Sequence, residues 1–205
     1  LSLAPAIAPI MGNPSPYKSE TDFAAIAMLT QYGSVMSMSP TLPVQTLQEF
    51  LAYAKSNSGN LNYGSTGIGT TAHLISFLFA QKTGLDATHI PYKGAEATRD
   101  LVAGRLQFMF ATAPSVVPLI KAGQLNAIAV SSKKRISAMP DLPTLNELGV
   151  DIATGAWFGL FAPEGTNPAI IKKLNETVVS ILEEPAIKQK LLGLGADPIP
   201  MSVQE

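Results

Sequence analysis

The chain of 205 residues contains no cysteine and only two histidines, and charged residues make up 14% of it. The lack of cysteine excludes disulfides, thiolate zinc sites and cysteine nucleophiles, and it leaves the redox environment open. With 14 basic and 15 acidic residues the formal net charge is -1, which gives no indication of binding to nucleic acid or to an anionic membrane. No apolar run approaches the roughly 18 residues of a transmembrane helix, so the sequence predicts no membrane span.

The first ten residues are apolar but contain two prolines, and they lack the basic segment that opens a signal peptide. Residue 1 is leucine rather than an initiator methionine. We therefore expect that the chain starts within a longer protein, without a signal peptide, and that this apolar start packs against other structure.

Hydrophobic spacing and turn residues predict alternating strands and helices along most of the chain. Thr46 and Glu49 form a possible capping box for a helix over residues 46–54, and Gly84 is a typical helix stop. Further predicted helices cover residues 71–82, 95–103, 114–122 and 167–182, and predicted strands cover 34–39, 88–92, 106–110, 125–130 and 157–161. Such alternation predicts parallel strands whose following loops share one edge of the sheet, where α/β proteins bind ligands.

Residues 61–74 are the most informative segment, because a short strand is followed by a turn with three glycines and then by an apolar helix. Backbone N–H groups at a helix start lack intrahelical partners and bind anions. Glycines permit unusual backbone angles, and hydroxyls add neutral donors. Charge-assisted hydrogen bonds contribute about 1.5 to 3 kcal/mol each, so a carboxylate could be held without a cation. The candidate ligands in this turn are Ser65, Thr66, Gly67, Gly69, Thr70 and Thr71. The alternative is a tight connection without a binding role.

Further candidates follow the neighbouring predicted strands on the same edge. Thr112 could line a pocket or cap the next helix, and Lys93 could equally be a surface residue. His73, one turn into its helix, is more typical of a half-buried histidine than of a ligand, and His89 within a strand carries less signal still. The candidates outside the glycine-rich turn are His73, Tyr92, Lys93, Gly94, Thr112, Trp157 and Phe158.

Two nucleotide-binding signatures are nearly matched by the same turn. The phosphate-loop pattern fails because Thr70 stands where the lysine is required. Gly67, Gly69 and Ala72 fit the dinucleotide pattern, but Asp86 precedes its strand instead of following it. A nucleotide-dependent oxidoreductase therefore remains an alternative, together with a signalling or scaffold domain that binds neither ligand.

Catalytic and metal-binding patterns are absent from the sequence. It contains no nucleophile elbow, and its two histidines do not have the spacing of a helical metal pair. We therefore predict a binding protein, not an enzyme, with no cofactor and no metal.

The order of motifs resembles the Bug-type, or TctC-like, solute-binding receptors of tripartite tricarboxylate transporters. The resemblance extends over nearly the whole chain. Its motifs lie at residues 22–24, 46–49, 61–74, 89–94, 102–106, 121–125, 129–131, 140–144, 147–149, 156–159 and 163–166.

This resemblance implies an α/β fold of the type II periplasmic-binding class, with two α/β lobes joined by crossing strands. It implies a periplasmic receptor that captures a small organic acid and delivers it to membrane subunits of the transporter. The turn at residues 65–73, with Tyr92, Lys93 and Gly94 beside it, would hold the carboxylate. Residues 1–38 would form a remnant of the first lobe with the first crossing strand. Residues 39–151 would form the complete second lobe, and residues 152–205 would return to the first.

Two departures from the family pattern bear on function. Ala111 and Thr112 stand where family members commonly carry Asp-Asn, so we predict an acid without an amino group, aromatic or aliphatic. The family's opening strand-helix-strand portion, with its own glycine-rich loop, has no counterpart before Leu1. We therefore predict an incomplete first lobe whose exposed apolar sheet edge permits a non-native dimer.

Overall fold

The computed structural model describes residues 16–18 and 21–201 of the chain; the prediction for the first ten residues lies outside them. The strands are β1 (Phe23–Tyr32), β2 (Ser34–Met38), β3 (Leu61–Ser65), β4 (Ala87–Pro91), β5 (Phe108–Thr112), β6 (Asn126–Val130), β7 (Ala156–Pro163) and β8 (Asp197–Pro198). The helices are α1 (Leu47–Ser56), α2 (Thr71–Thr83), α3 (Glu96–Val102), α4 (Ala113–Lys121), α5 (Pro168–Glu183) and α6 (Pro185–Gly193). Over these described ranges, every helix is too short or too polar to cross a bilayer.

The predicted helix ends are confirmed where local signals are strong. Thr46 Oγ1 accepts the Glu49 N–H at 3.2 Å, and Glu49 Oε2 accepts the Thr46 N–H at 3.1 Å, which completes the capping box of α1. Helix α2 ends at Gly84, whose φ of 66° lies in the left-handed region that glycine adopts without strain.

Five strands form one sheet in the order β4-β3-β5-β2-β6, and three form another in the order β7-β1-β8. β3 is parallel to β4 and β5, so their carboxyl ends share an edge as predicted. The expectation of parallel strands throughout is wrong at β2, which runs antiparallel to β5 and β6. β2 follows β1 directly and enters the five-stranded sheet from the other sheet, which reverses its direction.

Alternating residues of β5 supply both faces of the larger sheet. Phe108 and Phe110 face a core that contains Phe50 and Phe79, whereas Met109 faces the other core, with Leu101 and Leu106. The Phe108 ring lies 5.3 Å from Phe50 and 6.1 Å from Phe79, and all three side chains are fully buried. The larger sheet is therefore packed on both sides, which fixes the strand ends that carry the candidate site.

A single buried serine joins the two connections between the sheets. Ser131 Oγ accepts the Ser34 N–H at 3.1 Å and donates to the Thr154 carbonyl at 3.0 Å. The Ser131 backbone adds a bond from its N–H to the Ser34 carbonyl at 2.8 Å and accepts the Thr154 N–H at 2.7 Å. Ser34 begins β2 and Thr154 precedes β7, so both connections are fastened to one residue.

Replacing Ser131 by alanine is expected to lower the free energy of unfolding by about 2 kcal/mol, because the Ser34 N–H and the Thr154 carbonyl lose a buried partner. Ser132→Ala is the matched control, since the Ser132 hydroxyl makes one bond, to the Lys134 carbonyl, in a less buried position. Its expected cost is below about 1 kcal/mol. Urea unfolding of both variants checks this; equal losses would contradict the role assigned to Ser131.

Candidate functional site

The turn between β3 and α2 depends on two of its three glycines for backbone angles. Gly67 has a φ of 137° and Gly69 a φ of 79°, both in regions that side chains avoid. Gly64 differs from the prediction, because its φ is not positive. A Cβ there would lie 2.5 Å from Leu106 Cδ1, so Gly64 is required for close packing.

Part of the turn's hydrogen-bonding capacity is used internally. Gly67 N–H is bonded to Ser65 Oγ at 3.2 Å, Gly69 N–H to His73 Nδ1 at 3.2 Å, and Thr70 N–H to the Gly67 carbonyl at 3.3 Å. Thr70 is the N-cap of α2. The backbone N–H groups of Thr71 and Ala72, at the first two helical positions, have no acceptor in the part of the chain that the structure describes. These two amides are therefore available to a bound anion.

These amides belong to residues that border a cavity of about 420 Å³ between the two sheets. The loop residues Thr66, Thr70, Thr71 and Ala72 form one side of it. The other lining residues are Tyr32, Ser34, Gly94, Ala95, Thr98, Met109, Phe110, Ala111, Thr112, Ser115, Gly155, Ala156, Trp157 and Phe158. The cavity is of the size that takes a small organic molecule.

Nearly all hydrogen-bonding side chains of this lining carry a hydroxyl group, and the exception is the Trp157 indole. The described residues that line the cavity include no aspartate, glutamate, lysine, arginine or histidine. The hydroxyl groups of Thr66 and Thr71 have no hydrogen-bond partner within the described ranges. The site can therefore hold an anion by neutral donors, and it offers no carboxylate to pair with a ligand ammonium group.

The cavity brings together seven of the predicted site residues and leaves out six. Thr66, Thr70, Thr71, Gly94, Thr112, Trp157 and Phe158 line it. The residues that do not line it are Ser65, Gly67, Gly69, His73, Tyr92 and Lys93. Thr112 is also the N-cap residue of α4, but its hydroxyl donates to Ser115 Oγ at 3.0 Å and makes no cap bond to the helix backbone, so the predicted alternative of a side-chain cap is wrong.

Tyr92 bonds to a residue outside the cavity, and Lys93 does not line it. The Tyr92 hydroxyl donates to Asp100 Oδ2 at 2.8 Å, and Arg105 pairs with the same carboxylate at 2.7 Å. Burial, followed by the hydrogen bond to Asp100, raises the pKa of Tyr92. Lys93 is exposed. Tyr92 borders an open charged depression that also includes Glu96 and Arg99.

Two histidines stack beneath the turn. The rings of His73 and His89 are 4.2 Å apart and 20° from parallel. Burial lowers the pKa of His73, and burial together with the neighbouring His73 lowers the pKa of His89 to about 4. Both imidazoles are therefore neutral at pH 7.

Acidification from pH 7 to pH 5 is expected to destabilise the chain. As the pH falls, the unfolded state takes up protons near pH 6.5, whereas His89 in the folded state takes one up only near pH 4. The stability that the neutral histidines contribute is therefore complete above pH 6.5 and is lost as the pH falls toward 4. The carboxyl groups whose pKa is lowered have ordinary pKa values of 3.8 to 4.5, so their protonation reduces stability mainly below pH 5. Melting temperatures at both pH values check this; a His89→Gln variant that shows the full wild-type decrease would contradict it.

Several lining residues carried no clear signal in the sequence. Tyr32, Ser34, Thr98, Phe110 and Ser115 line the cavity. Tyr32 ends β1 and Ser34 begins β2, so both residues lie where the chain passes from one sheet to the other. Their place at the cavity depends on the order of the strands in the two sheets, which the local sequence does not specify. The alternation of residues 34–39 predicted a strand but not its neighbours.

The structure removes support for dinucleotide binding. Asp86, the candidate ribose ligand, lies just before β4 and accepts a hydrogen bond from Ser58 Oγ at 2.8 Å. This position is at the amino end of β4, whereas the glycine turn follows the carboxyl end of the parallel strand β3. Within residues 16–18 and 21–201, no three His, Asp or Glu side chains are grouped so as to hold a metal.

A second cavity, of about 460 Å³, shares Tyr32 and Trp157 with the first and includes the basic run Lys133-Lys134-Arg135. Arg135 is already paired with Glu147 and bonded to the Pro140 carbonyl. We take the hydroxyl-lined cavity as the candidate for anion binding because it is the one that the start of α2 borders.

Comparisons with known proteins agree with this geometry. The model of the family described as "Tripartite tricarboxylate transporter family receptor" matches residues 2–205. BugT of Bordetella pertussis is 32% identical over 201 residues, which cover 97% of this chain and 59% of BugT. A protein from the gbd 5′ region of Cupriavidus necator is 35% identical over 184 residues, covering 90% of this chain and 56% of the relative. The chain thus spans somewhat more than half the length of these relatives.

The chain is also similar to solved structures of binding proteins. The R. palustris protein Rpa4515, solved with adipate, superposes with a TM-score of 0.88 at 35% identity, over 92% of this chain and 64% of that one. MatC from Rhodopseudomonas palustris, with bound malate, gives a TM-score of 0.80 at 32% identity, over 89% and 63%. The periplasmic binding protein BugD gives 0.85 at 28% identity, over 91% and 63%.

The fold is therefore that of a periplasmic solute-binding protein of the type II α/β class, with a first lobe that is incomplete relative to these structures. The chain belongs to the tripartite tricarboxylate transporter receptor family, to which the Bug proteins are related. Members of this family are binding proteins, not enzymes.

Proposed function

We propose that this chain binds a small organic carboxylate in the hydroxyl-lined cavity, with the carboxylate on the turn between β3 and α2. The observation that carries the proposal is that, within the described residues, the backbone N–H groups of Thr71 and Ala72 and the hydroxyls of Thr66 and Thr71 have no hydrogen-bond partner. Three or four charge-assisted hydrogen bonds, at about 1.5 to 3 kcal/mol each, approach the roughly 8 kcal/mol of a micromolar complex before ordering costs. Similar structures with adipate and malate support this choice of ligand class.

The lining also favours an acid without an amino group. A ligand ammonium group would need a carboxylate partner, and the described residues around the cavity provide none. The apolar wall of Met109, Phe110 and Phe158 suits the hydrocarbon part of such an acid. Calorimetry with adipate and malate, compared with glutamate and aspartate, tests this preference. Tighter binding of either amino acid would contradict it.

Thr71→Val is expected to weaken adipate binding about fivefold to tenfold, because it removes one hydroxyl donor at nearly constant volume. The melting temperature should stay unchanged, since this hydroxyl has no partner within the described residues. Thr177→Val, at an exposed position on α5, is the control and should retain wild-type affinity. Calorimetry of both variants checks the result, and equal affinities would remove Thr71 from the site.

The transport role is proposed from the family. In this role the chain is periplasmic and delivers its ligand to membrane subunits of a tripartite tricarboxylate transporter. A thermal-shift screen separates the alternatives, because a ligand at 100 times its Kd adds about 2.7 kcal/mol of stability. Organic acids should stabilise the chain; stabilisation by NAD or NADP would instead favour an oxidoreductase, and no response would favour a signalling or scaffold role.

The division into residues 1–38, 39–151 and 152–205 and the non-native dimer remain proposals. Support for the dimer comes from an apolar stripe on α5, where Ile170, Leu174 and Ile181 are 53%, 39% and 44% exposed at helical spacing. Leu160 on β7 adds to the exposed apolar surface. We infer that a second copy of the chain covers this stripe. Light scattering should give twice the monomer mass, and a monomer at all concentrations would contradict the proposal.

A further inference from the structure

Three side chains lie beneath the anion-binding turn without lining the cavity. Ser65 is fully buried at the end of β3, His73 is on α2, and His89 is on β4 beside Tyr63. Ser65 is a predicted ligand residue, the family resemblance implies the same for His73, and His89 is not among the predicted site residues. Their contacts give all three a different role.

Ser65 fixes the backbone of the turn at Gly67. Its Oγ accepts the Gly67 N–H at 3.2 Å and donates to the Gly67 carbonyl at 3.0 Å. The same oxygen lies 2.7 Å from Nε2 of His89. Because Ser65 is fully buried and its hydroxyl is engaged in this way, it is not available to a ligand and acts on the turn instead.

His73 fixes the turn from the other side. Its Nδ1 accepts the Gly69 N–H at 3.2 Å, which requires that this nitrogen be unprotonated. Its ring stacks on His89 at 4.2 Å. His89 is thus in contact with both residues that hold the two glycines of positive φ.

His89 in turn rests on the hydrophobic core. Its ring stacks on Tyr63 at 4.9 Å, and Tyr63 stacks on the buried Phe108 at 5.5 Å. A continuous column of rings therefore connects the centre of the larger sheet with the turn. Rigid support of this kind keeps binding groups in place and lowers the ordering cost of binding.

We propose that His89 is a positioning residue, which holds Gly67 through Ser65 and Gly69 through His73 so that the free amides at the start of α2 face the cavity. This inference rests on the proposed carboxylate-binding function, because it names the residue that prepares the turn for the anion.

Two substitutions of His89 distinguish a role in positioning the turn from a general contribution to the stability of the fold. His89→Phe keeps a ring in the column but loses the contact with Ser65. His89→Gln can restore that contact, because its side-chain amide both donates and accepts at a position similar to Nε2. Thr88→Val, at an exposed position on the same strand, is the matched control. The measurements on the 205-residue chain are the melting temperature, hydrogen exchange of the Gly67 and Gly69 amides by ¹⁵N NMR, and calorimetry with adipate.

For His89→Phe we expect a nearly unchanged melting temperature, amide exchange at Gly67 at least about tenfold faster, and adipate affinity about fivefold to tenfold weaker. His89→Gln should recover most of the exchange protection and affinity, and Thr88→Val should match the wild type. Wild-type exchange at Gly67 and Gly69 in His89→Phe would overturn the inference, as would equal losses in both His89 variants. If adipate binds to no form of the chain, the proposed function fails, whereas the exchange rates still decide the role of His89.

Discussion

Replacement of Gly67 by alanine is expected to weaken adipate binding at least about 30-fold. The φ of 137° at Gly67 is rarely adopted by residues with a side chain, and holding one there costs about 1 to 3 kcal/mol. An added Cβ would make only ordinary contacts, at 3.6 Å to Thr70 Cγ2 and 3.7 Å to the Tyr92 carbonyl, so the effect is conformational and not one of crowding. The turn should relieve the strain by rotating Gly67, which displaces the carbonyl bonded to Ser65 and Thr70. Calorimetry with adipate measures the loss.

Gly84→Ala is the control for this experiment. Gly84 also has a positive φ, of 66°, and it lies at the other end of the same helix with no atom within 4 Å of an added Cβ. The substitution should cost about 1 kcal/mol of stability and leave adipate affinity unchanged. If both variants lose affinity equally, the conformation of the turn is not what determines binding.

Phe108→Ala is expected to lower the free energy of unfolding by about 3 to 5 kcal/mol, the usual cost of emptying a large buried aromatic site. Phe108 is fully buried on the central strand β5 and is in ring contact with Phe50, Tyr63 and Phe79. The neighbouring rings come from α1, β3 and α2, so the cavity left behind cannot be closed by a movement of one element. Urea unfolding followed by circular dichroism measures the loss.

The control for Phe108 is Phe77→Ala on α2. The Phe77 side chain is 53% exposed, so its removal should cost less than about 1 kcal/mol. A loss at Phe77 comparable with that at Phe108 would show that the larger sheet is not the stable centre of the chain.

The helix ends predicted from local chemistry are confirmed at α1 and α2, whereas the local prediction for the backbone of Gly64 is wrong. A capping box requires only residues three apart, so Thr46 and Glu49 predict the start of α1, and Gly84 predicts the end of α2. Likewise the strand and the turn of residues 61–74 are encoded within a few neighbouring residues. Family motifs over the whole chain then gave the fold class.

Features that depend on contacts between residues far apart in the sequence could not be predicted from local patterns. The direction of β2 is determined by β1, which belongs to the other sheet, and nothing within residues 34–38 distinguishes a parallel from an antiparallel strand. The orientation of side chains at strand ends could not be predicted either. Tyr92 follows β4 on the edge of the sheet that carries the candidate site, yet its hydroxyl bonds Asp100 outside the cavity. The ring column of His73, His89 and Tyr63 unites three elements that are separate in the sequence.

The bonds of Ser131 have a consequence for how the cleft can open. Because the connection at Ser34 and the connection at Thr154 are tied to the same hydroxyl, one cannot slide along the other without breaking buried bonds. We therefore expect any relative movement of the two sheets to be a rotation near Ser131 and not a sliding of one connection past the other. If the proposed carboxylate binding holds, we expect Trp157 and Phe158 to meet the ligand from the same direction at each binding event.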